Sequence, residues 1–270
     1  MKITFIGGGN MATAILEGYL AQGFESSHCH VVEINDVRRA FLEKQWHIST
    51  MPTLTSAISD SDVIILAVKP QQMQQVASEL LPYLRDALVI SIAAGIRLDS
   101  LYTWLGGYAR LVRAMPNMAA LIHASITGLA SYSSLSPTDK QTTESVMQTI
   151  GDFLWVEDET KLDAITAISG SGPAYVFYFI EALQEAAETL GLSPEQAKQL
   201  SLKTFEGASH LAALSHDSAR TLREKVTSKG GTTEAALLHL DKNAVKRSFI
   251  EAIQAAEQRA KILGSRTRCN

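Results

Sequence analysis

The run Gly7-Gly8-Gly9-Asn10-Met11-Ala12 constrains this chain more than any other stretch, because it separates two apolar segments, KITFI before it and NMATAILEGYLAQG after it. Glycine weakens strands and helices alike, so three in succession need a reason. The spacing fits G-x-G-x-x-G/A at a strand-to-helix turn. Gly7 permits a tight turn off the strand, Gly9 lets a diphosphate come close to the backbone, and Ala12 lets the helix pack on the strand. The helix start offers free N–H groups and the positive end of its dipole. The motif predicts a dinucleotide site on Ile6, Gly7, Gly8, Gly9, Asn10, Met11 and Ala12. A plain glycine turn is the duller alternative.

The first half has the rhythm that such a site requires. HVVEI, DVIILAV, ALVISIA and RLVRAM read as further strands, and DVIILAV is apolar almost throughout, as a strand covered on both faces should be. DVRRAFLEKQW and PQQMQQVASELLPYL read as helices between them. Strand and helix in alternation predict a doubly wound, Rossmann-like α/β sheet over residues 1–158. Beyond residue 160 the strand signal fades. Gly172-Pro173 opens a helix that stops at Gly191, Ser193 and Gln196 fit a capping box, and another long helix runs from about Ala244 to Leu263 and ends at Gly264. Residues 159–264 are therefore expected to be all helical, and 265–270 a flexible tail. The seven residues from Ala174 to Ile180 are all apolar, which predicts a helix buried on every side. So small a helical domain carries more apolar surface than it can bury alone, and a second subunit is expected to share it.

Composition removes other classes. The chain of 270 residues is 46% hydrophobic with a net charge of −4, which suits a folded core and argues against a broad nucleic-acid surface. No apolar run reaches the ~20 residues of a membrane span. KITFI starts as a strand, so no secretory signal is expected, and with only Cys29 and Cys269 a reduced, cytoplasmic setting is the expectation. No metal-ligand spacing occurs, the histidines form no cluster, and there is no G-x-S-x-G elbow.

The other candidate residues sit at strand ends, which face the ligand crevice of an open parallel sheet. Glu33 ends the second strand about 20 residues past the glycine loop, where an acid holds ribose hydroxyls and favours NAD. Asn35, Arg38 and Arg39 follow at once, and arginines suit a 2′-phosphate or simply a solvated helix turn. Ala67, Val68, Lys69 and Pro70 close the next central strand. Ala93, Ala94 and Gly95 close the one after, small enough for a flat ring to lie against the backbone or for tight packing. Asn117, in RAMPN, could orient a ring amide or only a turn. In the helical half, Ser228, Gly230, Gly231, Thr232 and Thr233 form a donor-rich turn before EAALLHL, suited to a small carboxylate or to plain capping.

FIGGGNMA, AVKP, SIAAG, RAMPN, SGSGPAY and SKGGTT, in this order, make the chain resemble the pyrroline-5-carboxylate reductases from the first strand to about Leu263. The resemblance implies reduction of 1-pyrroline-5-carboxylate to L-proline, with NADP(H) preferred and NAD(H) often accepted. It implies a homodimer of interlocking helical domains, in some members built into decamers. It assigns Gly7–Ala12 to the cofactor phosphates, Ala67–Pro70 and Ala93–Gly95 to segments lining the cofactor, and Asn117 to the nicotinamide end. Thr233 takes the ring nitrogen, and Ser228 to Thr232 the substrate carboxylate. The chain departs from the family pattern at Glu33, where small hydroxyl residues are common, at Lys229, where proline is usual, and at Ser49, where asparagine often supports the adenosine. A β-hydroxyacid dehydrogenase shares the two-half architecture but needs a lysine acid-base group in the helical half. A dinucleotide-sensing protein without turnover is the other alternative.

Overall fold

The computed structural model describes residues 1–266, the side chain of Arg266 excepted. Eight strands form one sheet: β1 (Ile3–Ile6), β2 (Cys29–Val32), β3 (Ser49–Met51), β4 (Val63–Leu66), β5 (Leu88–Ser91), β6 (Leu111–Met115), β7 (Ser125–Ser131) and β8 (Gly151–Trp155). Their order is 3-2-1-4-5-6-7-8, parallel except where β7 runs against β6. The order reverses between β1 and β4, which pair from Ile3↔Val63 to Ile6↔Leu66, and in open α/β sheets that switch point opens the ligand crevice.

The central strands are buried over their whole length, and alternation divides their side chains between two cores. Phe5, Ile65 and Ile90 pack on one side with Ile15 and Tyr19 of α1 (Asn10–Ala21). Ile64, Leu66 and Val89 pack on the other with Met73 and Leu80 of α3 (Met73–Leu80) and Leu101 of α4 (Leu98–Trp104). Burying each such side chain contributes about 1.5–3 kcal/mol. The polar Thr4 is tolerated inside β1 because its hydroxyl meets that of Ser61 at 2.7 Å. α2 (Asp36–Trp46) follows β2, capped by the Asn35 side chain, which accepts from the Arg38 N–H.

Several expectations change. β3, β7 and β8 were not among the strands read above. β3 is three residues at the sheet edge, and β7 and β8 carry Gly128 and Gly151, so none has a clean apolar run. The segment PQQMQQVASELLPYL is not one α-helix: tight 3-10 turns at Pro70–Gln72 and Leu81–Tyr83 flank α3, the second because Pro82 lacks the N–H that an uninterrupted helix would use.

After α5 (Pro137–Gln148), β8 and α6 (Lys161–Ile165), a π-helical turn at Thr166–Gly170 leads into α7 (Gly172–Thr189). Then come α8 (Pro194–Leu214), α9 (Ala219–Lys225), α10 (Thr232–Lys242) and α11 (Val245–Arg266). The Ser193–Gln196 capping box is present in full. The described residues form two compact units, Gly172–Ala255 and the rest of them, so the last turns of α11 belong with the sheet. The sheet unit continues past residue 158 to Ser171, because Leu162 of α6 is buried in its core. α7 is not buried within one chain: Val176, Phe177 and Tyr178 are 45%, 57% and 67% exposed. α11 does not stop at Gly264 but runs to Arg266, with Gly264 outside the left-handed conformation a glycine stop would adopt. Cys269 and the rest of the expected tail, 267–270, lie outside the described residues.

Candidate active site

At the switch point the glycine loop forms the floor of a cleft of about 420 Å³. Its three glycines do different work. Gly7 has φ +102°, and a Cβ there would stand 2.7 Å from the Ala67 carbonyl oxygen, so both the turn and the closeness of β4 demand glycine. Gly8 is buried, and its N–H and carbonyl are both engaged. Gly9 is the N-cap of α1 with ordinary extended dihedrals, no side chain caps that helix, and nothing lies within 4 Å of where its Cβ would be. The helix start therefore faces open space with its N–H groups unclaimed by any cap.

Charged residues after β2 brace this loop. Both carboxylate oxygens of Glu33 accept backbone N–H bonds, Oε2 from Gly8 and Oε1 from Asn35, each at 2.9 Å. Arg38 donates Nε to the Gly8 carbonyl at 2.7 Å and Nη2 to the Thr13 hydroxyl at 2.6 Å, over the Phe41 ring. Arg39 donates Nη1 to the carbonyls of Glu33 and Ile34. Three side chains expected near a ribose or 2′-phosphate are thus tied to main chain or to a threonine hydroxyl.

Of the candidates, Ile6, Gly7, Gly8, Gly9, Glu33, Asn35, Ala67, Val68 and Lys69 line the cleft together. Asn10, Met11, Ala12, Arg38 and Pro70 do not line it. Ala12 is buried under the loop, Met11 packs on the core, and Pro70 begins the turn that carries Lys69. Ala93, Ala94, Gly95 and Asn117 also lie outside the cleft walls. Gly95 has φ +75° and abuts Leu263 of α11. Asn117 is tied into its own turn: Oδ1 accepts the Ala119 N–H at 2.9 Å and Nδ2 donates to the Ser169 hydroxyl at 2.9 Å. The SGSGP segment begins in the π turn, where Gly170 leaves room for Met115.

Sequence reasoning missed part of the wall. Ile34 is 77% exposed beside the cleft, and Val32, Pro52, Thr53, Leu54, Gln72, Val76 and Glu79 complete it. An isoleucine left in water directly after a strand-end acid was a usable signal, whereas Pro52–Leu54 depended on seeing β3.

In the helical unit, Gly231 is the N-cap of α10, and Thr232 and Thr233 are its first two residues, with no side chain capping them. Gly230 has φ +73°, and its N–H donates to Glu234 Oε2 at 2.6 Å, while the Gly231 N–H donates to the Ser228 carbonyl at 3.0 Å. Ser228 to Gly230 and Thr232 are exposed, and Thr233 is half-buried. This is an exposed turn at an uncapped helix start, with the Gly230 and Gly231 N–H groups engaged within the turn itself.

Two family models match the chain: pyrroline-5-carboxylate reductase dimerisation over residues 159–263, and NADP oxidoreductase coenzyme F420-dependent over residues 2–95. The pyrroline-5-carboxylate reductase of Pseudomonas aeruginosa is 39% identical over 260 residues, spanning 96% of this chain and 95% of the relative. Pyrroline-5-carboxylate reductase 2 of Bacillus subtilis is 36% identical, with coverage of 96% and 94%. The solved reductase of Coxiella burnetii superposes with a TM-score of 0.91 at 40% identity, covering 97% of this chain and 98% of that one. A Plasmodium falciparum pyrroline carboxylate reductase with NADP bound superposes at 0.87 and 29% identity, with 98% of both chains covered. With both halves matched end to end, the chain belongs to the pyrroline-5-carboxylate reductase family.

Proposed function

We propose that this chain reduces 1-pyrroline-5-carboxylate to L-proline with NADP(H) as the preferred partner and NAD(H) as a poorer one. The observation that carries the reading is the open space over Gly9 at the uncapped start of α1, in a chain whose other half matches the family's dimerisation region. The glycine loop suits a diphosphate because its N–H groups face the cleft and no side chain fills the approach. Lys69, exposed at the rim, adds the one cationic side chain among the cleft-lining residues. Ile34 and Asn35, exposed at the end of β2, offer an apolar seat and a polar edge to the adenosine end.

When bound, the reduced nicotinamide supplies a hydride to the imine carbon. The residues of the chain do the rest. Ser228 to Thr232 hold the substrate carboxylate, through the exposed Ser228 and Thr232 side chains and the uncapped start of α10. Thr233 fixes the ring nitrogen and passes it a proton from water. A protonated imine is already electrophilic, so no strong acid is required, and positioning is the main contribution, worth on the order of 7–11 kcal/mol in well-oriented systems. Ala93–Gly95 and Asn117 serve the nicotinamide end, the latter through the turn that its side chain builds. The family's dimerisation region supports oligomer formation, and the exposed apolar face of α7 supports a homodimer made through the C-terminal helices, with decamers a further level of assembly. No described helix is long and apolar enough to cross a membrane, and we place the enzyme in the cytoplasm.

The test is to follow the loss of NADPH absorbance with pyrroline-5-carboxylate and to assay proline in the product. Stoichiometric proline is expected, with kcat/KM higher for NADPH than for NADH. NADPH binding with no proline formed refutes the reading.

A further inference from the structure

Four charged residues from separate segments converge inside the sheet unit, and the reaction above uses none of them. Arg113 of β6, 1% exposed, donates Nη1 to Glu159 Oε1 at 2.7 Å. The same oxygen accepts the Leu98 N–H at 3.0 Å and so caps the start of α4. Arg97, ending the loop between β5 and α4, pairs through Nη2 with Asp163 of α6, itself 1% exposed. Buried pairs are weak contributors to net stability, because desolvation offsets attraction, but each fixes one arrangement of the segments that carry it.

That arrangement supports the end of α11. A Cβ on Gly264 would lie 2.7 Å from Arg97 Nε and 3.2 Å from its Cζ. One residue earlier, Leu263 Cβ is 3.3 Å from where a Cβ on Gly95 would stand. Gly264 is helical, so its glycine does not serve as a helix stop. The close approach to a pinned guanidinium explains it instead. The last turn of α11 thus touches Gly95 and Arg97, which flank the fully buried Ile96 in the loop after β5.

We infer that the last turn of α11, seated on the Arg97–Asp163 pair, is a positioning element for the Ala93–Gly95 loop and through it for the nicotinamide end of the site. Arg97, Asp163 and Gly264 are positioning residues with no contact to substrate required. The inference rests on the assignment of Ala93–Gly95 to the cofactor.

The test is Gly264→Ala, read by kcat, by NADPH affinity in direct titration and by thermal midpoint. Alanine is the better helix former, so a role confined to helix stability predicts an unchanged or raised midpoint and unchanged turnover. The positioning role predicts about a tenfold loss of kcat, with NADPH affinity within about twofold, since small misplacement at a reacting centre carries a large rate cost. Arg97→Lys added to Gly264→Ala replaces the planar, branched guanidinium with a rotatable ammonium chain that can swing clear of the new methyl while keeping the charge opposite Asp163, and turnover should recover to within about threefold of the parent. Unchanged turnover in Gly264→Ala overturns the inference, as does a double variant that recovers nothing. Should Gly264→Ala fail to fold, the double variant is expected to fold, and its failure also overturns the inference. Gly95→Ala separates the two levels. If it alters neither NADPH binding nor turnover, the cofactor assignment of the loop is at fault. If it damages turnover while Gly264→Ala does not, only the positioning inference falls.

Discussion

Alanine at Gly7 and alanine at Gly9 should separate folding from binding within one loop. At Gly7 the φ of +102° is hostile to any side chain, which costs about 1–3 kcal/mol. The new methyl would stand 2.7 Å from the Ala67 carbonyl oxygen and 3.0 Å from its carbon. That backbone cannot yield freely, because the Ala67 N–H is bonded to the Ile6 carbonyl at 2.8 Å in the pairing of β1 with β4. Overpacking of this kind costs a further ~1–3 kcal/mol, against ~0.4–1 kcal/mol recovered from a stiffer unfolded chain. The net loss is about 1–6 kcal/mol, a fall in thermal midpoint of at least ~2 °C for a unit of this size. At Gly9 the dihedrals are ordinary and no atom lies within 4 Å, so the fold has no objection. Alanine is the weaker N-cap by less than ~1 kcal/mol, and the entropy gain is of the same size, leaving stability nearly unchanged. The methyl would instead occupy the approach of the diphosphate, and NADPH affinity should fall by at least about tenfold, ~1.4 kcal/mol. Differential scanning fluorimetry at fixed protein concentration and titration by NADPH fluorescence read the two axes. A Gly9→Ala protein that binds NADPH like the parent refutes the assignment of this loop. A Gly7→Ala protein as stable as the parent refutes the steric argument.

Other perturbations test other parts of the site. Thr233→Ala should lower kcat by about a hundredfold while NADPH affinity stays nearly constant, as loss of one well-placed donor does, and equal turnover would remove Thr233 from the chemistry. Glu33→Ser removes a carboxylate from the cleft along with its bonds to the Gly8 and Asn35 N–H groups, and should raise the NADPH-to-NADH ratio of kcat/KM by about fivefold; a falling ratio would contradict the electrostatic reading. The Arg110 guanidinium, bonded to both oxygens of Asp139, holds that carboxyl below its usual value, so the unfolded chain takes up the proton first. Its contribution to stability is full above the ordinary carboxylate range and is lost as pH falls through the folded value, and denaturant titrations should show this acid slope weakened in Asp139→Asn. If the C-terminal helices make the dimer, the thermal midpoint should rise with protein concentration and activity should vanish on dilution to monomer; a concentration-independent midpoint with an active monomer would exclude it.

Local patterns in the chain carried much of the fold. The apolar runs of β1, β4 and β5 are legible because strands buried on both faces need no polar residues, and two cores indeed cover them. The Ser193 capping box is written within four residues of sequence, so short-range chemistry was enough. What failed depended on partners far along the chain. β7 and β8 are strands because they pair beyond β6, not because their residues strongly favour it. α7 is a different case: the apolar run Ala174–Ile180 was expected to share its cover with a second subunit, and one chain alone leaves Phe177 and Tyr178 largely in water. Hydropathy reports what a surface needs, and the homodimer proposed above would supply that cover.

The candidate site divides along the same line. Three adjacent glycines look alike in sequence, but each is explained by what surrounds its missing Cβ: the Ala67 carbonyl at Gly7, the Glu33 carboxylate and Leu42 at Gly8, open space at Gly9. Only the last is a statement about a ligand. The charges show the converse. Arg38 and Glu33 invite a reading as cofactor contacts because each stands at the right offset from β2. In the folded chain Arg38 holds the Gly8 carbonyl and Glu33 the Gly8 N–H, so the two opposite charges grip one peptide-bearing residue from both its polar groups. A glycine loop must be soft enough to let a diphosphate approach and firm enough to present its N–H groups in one direction. Glycine supplies the access and cannot supply the firmness. The acid and the arginine after β2 supply it from outside, and that division of labour explains why a strand-end glutamate is compatible with a family that works with NADP(H).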